Sequence, residues 1–168
     1  MNSGCRNAGH VKVGLHVLLW LMLCLPLAGC AQEESGGNNM ATARISPYNH
    51  TPDYIHQLYV DGYSGGNSYA YGGGGSFVCC IGYPRQWREG LVATVRWSTS
   101  SSDPEATVLE VTWHEKVVPI ERYEKTGTTL NVHFLPEGEV RLIITDLSAW
   151  HPDYPGPNAP EKPADWPW

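Results

Sequence analysis

The chain has 168 residues, of which 42% are hydrophobic and 17% charged, with a formal net charge of −6. That length fits a single domain, and the apolar share is too high for wholesale disorder. The acidic balance excludes a nucleic-acid binder, which needs a basic face, and the low charged fraction excludes a coiled coil.

Residues 1–12 carry Arg6 and Lys12 and no acid, and an apolar run from Val13 leads into Leu27-Ala28-Gly29-Cys30. A basic start, a short apolar run and small residues form a secretory signal peptide over 1–29. The run is too short to stay in a bilayer as a permanent span, which takes about 20 apolar residues. Leu27-Ala28-Gly29-Cys30 resembles the lipobox of bacterial lipoproteins, so Cys30 is the expected lipidation site. Acyl chains there would hold the protein at a membrane, each buried methylene contributing about 0.8 kcal/mol. Ala31, where sorting signals for the inner membrane carry Asp, favours the outer membrane with the domain facing the periplasm. Removing 29 residues leaves 139, shifts the charge to −8, and leaves Cys79 and Cys80 beside the lipidated Cys30.

Residues 31–41 are polar and carry no apolar period, so the segment 30–41 reads as the lipidated cysteine and a flexible tether. A β domain is expected over 42–150. A Pro/Trp-rich extension follows over 151–168, where six prolines exclude helix and sheet interior while Trp166 and Trp168 offer apolar area for docking.

Within the domain the dominant period is two. A β-prone run follows Tyr54, and Phe77, Val78 and Ile81 flank the two cysteines. Leu91, Ala93, Val95 and Trp97 alternate with polar residues, as do Leu109, Val111 and Trp113, then Leu130, Val132 and Phe134, and finally Val140, Leu142 and Ile144. Alternation of this kind turns one set inward, which places Val95, Trp97, Val111, Trp113, Val132, Phe134, Leu142 and Ile144 in the predicted core. Pro136-Glu137-Gly138 between two such runs is the strongest hairpin signal. About seven short strands with turns between them predict an all-β fold, an antiparallel sandwich or partly open barrel.

Segment 62–75 holds half the glycines of the mature chain, interleaved with Tyr63, Tyr69 and Tyr71. It reads as a long surface loop, and tyrosine on a Gly/Ser/Asn background suits protein recognition. Those three tyrosines are the candidate binding residues. Gly62-Tyr63-Ser64-Gly65-Gly66 matches the pattern of a nucleophile elbow, but that motif needs a helix after the serine and more glycine follows instead. Cys79-Cys80 leaves three readings open: two unpaired thiols, a redox-active vicinal disulfide, or half of a metal site. Asn49-His50-Thr51 is a polar turn, and the mature histidines His50, His56, His114, His133 and His151 show no metal-ligand spacing. No catalytic residue, metal site or cofactor is expected.

Four segments together resemble one family: Pro47-Tyr48-Asn49-His50-Thr51, the Gly72–Gly75 run into Ser76-Phe77-Val78-Cys79-Cys80, Val132-His133-Phe134-Leu135-Pro136, and His151-Pro152-Asp153-Tyr154-Pro155-Gly156. It is the bacterial lipoprotein family catalogued as domain of unknown function 3304, and the similarity covers about residues 43–157. The family carries no assigned enzymatic activity. Some members resemble periplasmic immunity lipoproteins encoded beside type VI secretion lipase effectors, which implies a secreted lipase-type effector as the protein partner. Two other roles stay open: a structural or envelope-maintenance lipoprotein, and a thiol-redox or metal-dependent activity at Cys79 and Cys80.

Overall fold

A computed structural model describes residues 39–75, 77–106 and 110–167. The signal peptide, Cys30, residues 31–38 of the tether and Trp168 lie outside these described residues. Among the described residues, eight strands form two four-stranded sheets. They are β1 (Met40–Asn49), β2 (Tyr54–Val60), β3 (Tyr63–Ser68), β4 (Val78–Pro84), β5 (Val92–Ser100), β6 (Thr112–Pro119), β7 (Thr129–Phe134) and β8 (Val140–Thr145). One sheet runs β4-β1-β7-β8 and the other β3-β2-β5-β6, face to face as a sandwich. Every pairing is antiparallel except β1 with β7, which is parallel, so the first sheet is mixed where a purely antiparallel one was expected.

The core between the sheets is built by the inward set of each strand. Ile45, Ile55, Leu58, Val60, Val95, Leu130, Val132 and Leu142 are essentially inaccessible to solvent. At its margins polar atoms of large side chains reach backbone carbonyls: Tyr83 and Tyr123 donate to Gly127 and Pro84, each at 2.5 Å, and the Trp87 indole donates to Ile120 at 2.9 Å. The predicted hairpin forms β7 and β8, turned by a short 3-10 segment over Pro136–Gly138. A parallel bridge from Ile120 to Leu142 joins the two sheets at one edge.

Three expectations are corrected. Strand β6 begins at Thr112, and Val111 and Trp113 point outward with 48% and 44% exposure. The inward positions are His114 and Val118, opposite Trp97 and Ala93. The apolar set read from Val111 and Trp113 lies instead on the outer face, where Trp113 is covered by the Arg96 guanidinium at 4.4 Å and flanked by Tyr59 at 6.4 Å. Leu109 lies outside the described residues.

Second, the expected loop 62–75 is half strand: β3 pairs with β2 through a tight turn at Asp61 and Gly62, both at positive φ. A Cβ on Gly65 would fall 2.6 Å from the Leu58 side chain and 2.7 Å from Ile45, so glycine lets this strand close over the core. Third, the domain starts inside the expected tether, because Met40 and Ala41 already pair with Pro84 and Tyr83.

The Pro-rich C-terminal segment packs as a strap over the outer face of the first sheet. Ala149 and Tyr154 are buried there against Tyr48 and Ile143, with Leu147 and Ala159 packed alongside. The first sheet therefore has a core on each face, and β7 is buried at all six positions.

Leu142→Ala should lower the unfolding free energy by about 2–5 kcal/mol, the range for deleting a fully buried leucine side chain. Trp113→Ala should cost only about 1 kcal/mol, because it removes a half-exposed ring and one cation–π contact. Urea denaturation of both variants checks the phase of β6, and equal costs would place Trp113 in the core after all.

Candidate functional site

Parts of the four sequence segments that carry the family resemblance meet at one end of the sandwich and beneath the strap: Pro47–Thr51, Gly72–Gly74, His133–Phe134 and Tyr154. Strand β1 supplies Pro47, Tyr48 and Asn49 in a central position. Arg44 and His50 donate their backbone N–H groups toward the β7 side, to Thr128 and Phe134. Pro47 therefore faces the opposite side, where pairing with β4 has already ended at Ile45 and Val78. Its missing N–H breaks no ladder bond there. Its carbonyl is used, accepting from Gly74 at 3.0 Å.

That bond begins a close seam between β1 and the glycine run. Asn49 N–H donates to the Gly72 carbonyl at 2.7 Å, and Tyr71 N–H donates to the Thr51 carbonyl at 3.2 Å. Gly73 and Gly74 sit at φ 147° and 69°. A Cβ on Gly74 would fall 2.5 Å from the Trp150 ring and 2.9 Å from Tyr48, so only glycine lets the loop lie this close.

The Asn49 side chain is fully buried and uses both ends of its carboxamide. Nδ2 donates to the Asp53 carbonyl at 2.7 Å and to the Tyr69 carbonyl at 3.1 Å. Oδ1 accepts from Thr51 N–H at 3.0 Å and from the Thr51 hydroxyl at 2.7 Å. The polar turn expected at Asn49-His50-Thr51 is thus an Asx turn whose amide also clamps a distant loop.

Beside it runs a line of three side chains from three segments. The Tyr154 hydroxyl lies 2.6 Å from His133 Nε2, and His133 Nδ1 lies 2.9 Å from His50 Nε2. Tyr48 stacks on the His133 ring at 4.7 Å with an interplanar angle of 5°. Burial, then the neighbouring His50 and Arg141, depress the His133 pKa to about 3, so its imidazole is neutral at physiological pH. Burial lowers His50 as well, and burial followed by Tyr48 raises Tyr154, which keeps its proton. With all three neutral, the two contacts fit either tautomer of His133: Tyr154 donating to His133 and His133 to His50, or His50 donating to His133 and His133 to Tyr154.

Asn131 sits near the Tyr154 hydroxyl and offsets a small part of its rise. Asn131 Nδ2 and Ser46 Oγ, from residues opposite each other on β7 and β1, are buried without a hydrogen-bond partner among the described residues. Tyr154, His133 and Tyr48 are buried, and only His50 of this line is partly open to solvent. The line holds the strap to the sheet.

The candidate binding tyrosines are separated by this architecture. Tyr63 and Tyr69 flank opposite ends of β3, a span of roughly 20 Å, with exposures of 52% and 76%. Tyr71 is half-buried at φ 51° and packs edge-on against Trp166 at 4.9 Å, so it anchors the strap and is not a free contact. Tyr69 leans on Tyr54 at 5.2 Å, and Tyr54 meets His56 edge-on at 4.5 Å. Trp150, 63% exposed, stands over Gly74 on the other side of the loop.

Of the three readings open for Cys79 and Cys80, the structure has the vicinal disulfide. Their peptide bond is cis, and both lie in a β-bulge opposite Arg44, between the Ala43–Ile81 and Ile45–Val78 pairs. Ser64 is exposed on edge strand β3 opposite Tyr59, away from any helix. Among the described residues no three His, Cys, Asp or Glu side chains are grouped to hold a metal ion.

The depressed His133 pKa makes stability depend on pH. The folded state resists protonation, so its advantage is complete above the unfolded histidine value of about 6.5 and declines as pH falls toward 3. The slope from one such group is on the order of 1 kcal/mol per pH unit, and His50 acts in the same direction. Asp146, held low by hydrogen bonds from Thr128, also loses stabilisation on acidification, but only below the ordinary aspartate range. Urea unfolding at pH 7.5 and pH 5 should therefore show a clear loss at the lower pH. His133→Gln should be less stable at pH 7.5 and show a flatter profile, whereas an unchanged slope would remove His133 as the cause.

No curated protein and no solved structure shows significant similarity to this chain. A family model described as protein of unknown function (DUF3304) matches residues 48–142, a stretch that runs from Tyr48 of the stack to Leu142 of the core. The chain belongs to that family.

Proposed function

We propose that this chain is a lipid-anchored lipoprotein of the bacterial envelope that binds a protein partner through the end of the sandwich bearing Tyr69. The observation that carries this reading is the fixed presentation of that ring. Tyr69 is 76% exposed, yet its backbone carbonyl is gripped by the buried Asn49 amide and the glycine run behind it is bonded to β1. An exposed aromatic on a backbone already ordered loses little entropy on binding, the condition for an interface anchor.

Lipidation at Cys30 would place this face at the outer membrane on its periplasmic side. An anchor of that kind suits an immunity protein that neutralises a membrane-acting type VI secretion effector, since confining both to one layer raises their effective concentration. The acidic chain favours encounter with a basic surface.

Fractionation of cells expressing wild type and Cys30→Ser should find the wild type with membranes and the variant in the soluble fraction. Cells challenged with the toxic product of a neighbouring gene should be protected by the wild type. Tyr69→Ala should keep its melting temperature and lose protection, matching a fall in affinity of roughly thirtyfold for a lost aromatic anchor. Full protection by Tyr69→Ala would reject this face, and a membrane-bound Cys30→Ser would reject the anchor.

A further inference from the structure

At the same end of the sandwich, the two sheets and the β7–β8 turn border an open cavity of about 310 Å³. That volume falls in the range of small-ligand pockets. Its floor is aromatic: Trp97 stacks on His114 at 5.0 Å and meets Phe134 at 5.3 Å. Its rim carries three exposed carboxylates, those of Asp53, Glu137 and Glu139, none of which forms an ion pair among the described residues. Of the two nearby cations, Lys116 sits on this rim, donating to the Gly138 carbonyl between the two glutamates at 3.2 Å, while Arg141 is held by Glu121 at 2.6 and 2.9 Å.

We propose that this cavity is a recognition pocket for an organic cation, the arginine or lysine side chain of the protein partner. The assignment to a partner rests on the function proposed above. A basic side chain has an apolar stem that suits the ring floor and a charged head attracted by the carboxylates of the rim. The three carboxylates outnumber the one rim cation, Lys116, so an anion would be repelled on balance, and an uncharged apolar group would strip water from the carboxylates without return. The pocket is also continuous with the Tyr69 face. The Asn49 amide that holds the Tyr69 carbonyl holds the Asp53 carbonyl too, so one buried side chain sets the distance between rim and anchor.

The test is an NMR titration of the mature chain, residues 30–168, carrying Cys30→Ser to keep it in solution. The probes are Nα-acetyl-arginine methylamide, its lysine counterpart, and the citrulline counterpart, a neutral isostere of arginine. The two cations should shift the Trp97 indole and Gly138 amide resonances saturably, and citrulline should bind at least about tenfold more weakly. Glu137→Gln with Glu139→Gln should weaken the cations at least about threefold and leave citrulline unchanged. Equal binding of arginine and citrulline, shifts insensitive to the glutamates, or no saturable shift would each overturn the pocket. If the probes fail while Tyr69-dependent protection holds, the pocket falls and the partner face stands. If the probes bind but no partner is neutralised, the site takes a free organic cation and its assignment to a partner side chain falls.

Discussion

The buried carboxamide of Asn49 is the contact on which the functional end of this protein depends. Four hydrogen bonds converge on it, two to carbonyls of separate segments and two from Thr51. The amide itself is buried, and leaving a buried polar group unmatched costs about 1–3 kcal/mol. Through it the β1–β2 connection, the loop after β3 and the rim of the aromatic cavity become one rigid unit. Without it, Tyr69 would be left to the backbone bonds of the glycine run and its contact with Tyr54.

A second constraint acts on the opposite face of the same strand. Tyr48, His133 and Tyr154 form a polar layer between sheet and strap, where neutral imidazole is required because burial excludes the charged form. The strap lacks backbone pairing of the strand kind, since its prolines forbid it, so its docking relies on Tyr154, Ala149 and the contact of Trp166 with Tyr71. Gly74 links the two systems by letting Trp150 and Tyr48 close over the loop from below. The fold is thus a two-sheet sandwich with a third, irregular layer, and the family segments mark the places where that layer meets the sheet.

Much of the sandwich was legible as alternation. Strands β5, β7 and β8 follow their expected apolar phase because each turns a full apolar set to the central core. Strand β1 was hidden by its own burial: Ile45 through Asn49 are buried on both faces, so Ser46, Pro47, Tyr48 and Asn49 show no alternation. Strand β6 misled in phase because Trp113 is apolar yet outward, shielded by Arg96 from the neighbouring strand. Strand β3 was concealed by glycines that exist to let it pass over Leu58 and Ile45. The site's residues stood out one by one within the family segments, but their meeting did not, since His50 and His133 are 83 positions apart and only the parallel β1–β7 pairing brings them together.

Amide hydrogen exchange in wild type and Asn49→Ala tests the central role of this clamp most directly. In the wild type the amides of Tyr71, Gly72 and Gly74, which donate to Thr51, Tyr69 and Pro47, should be protected. In Asn49→Ala their protection should fall by on the order of tenfold or more while the amides of β5 and β7 keep theirs. Loop amides that exchange freely in the wild type, or that stay equally protected in the variant, would contradict the account.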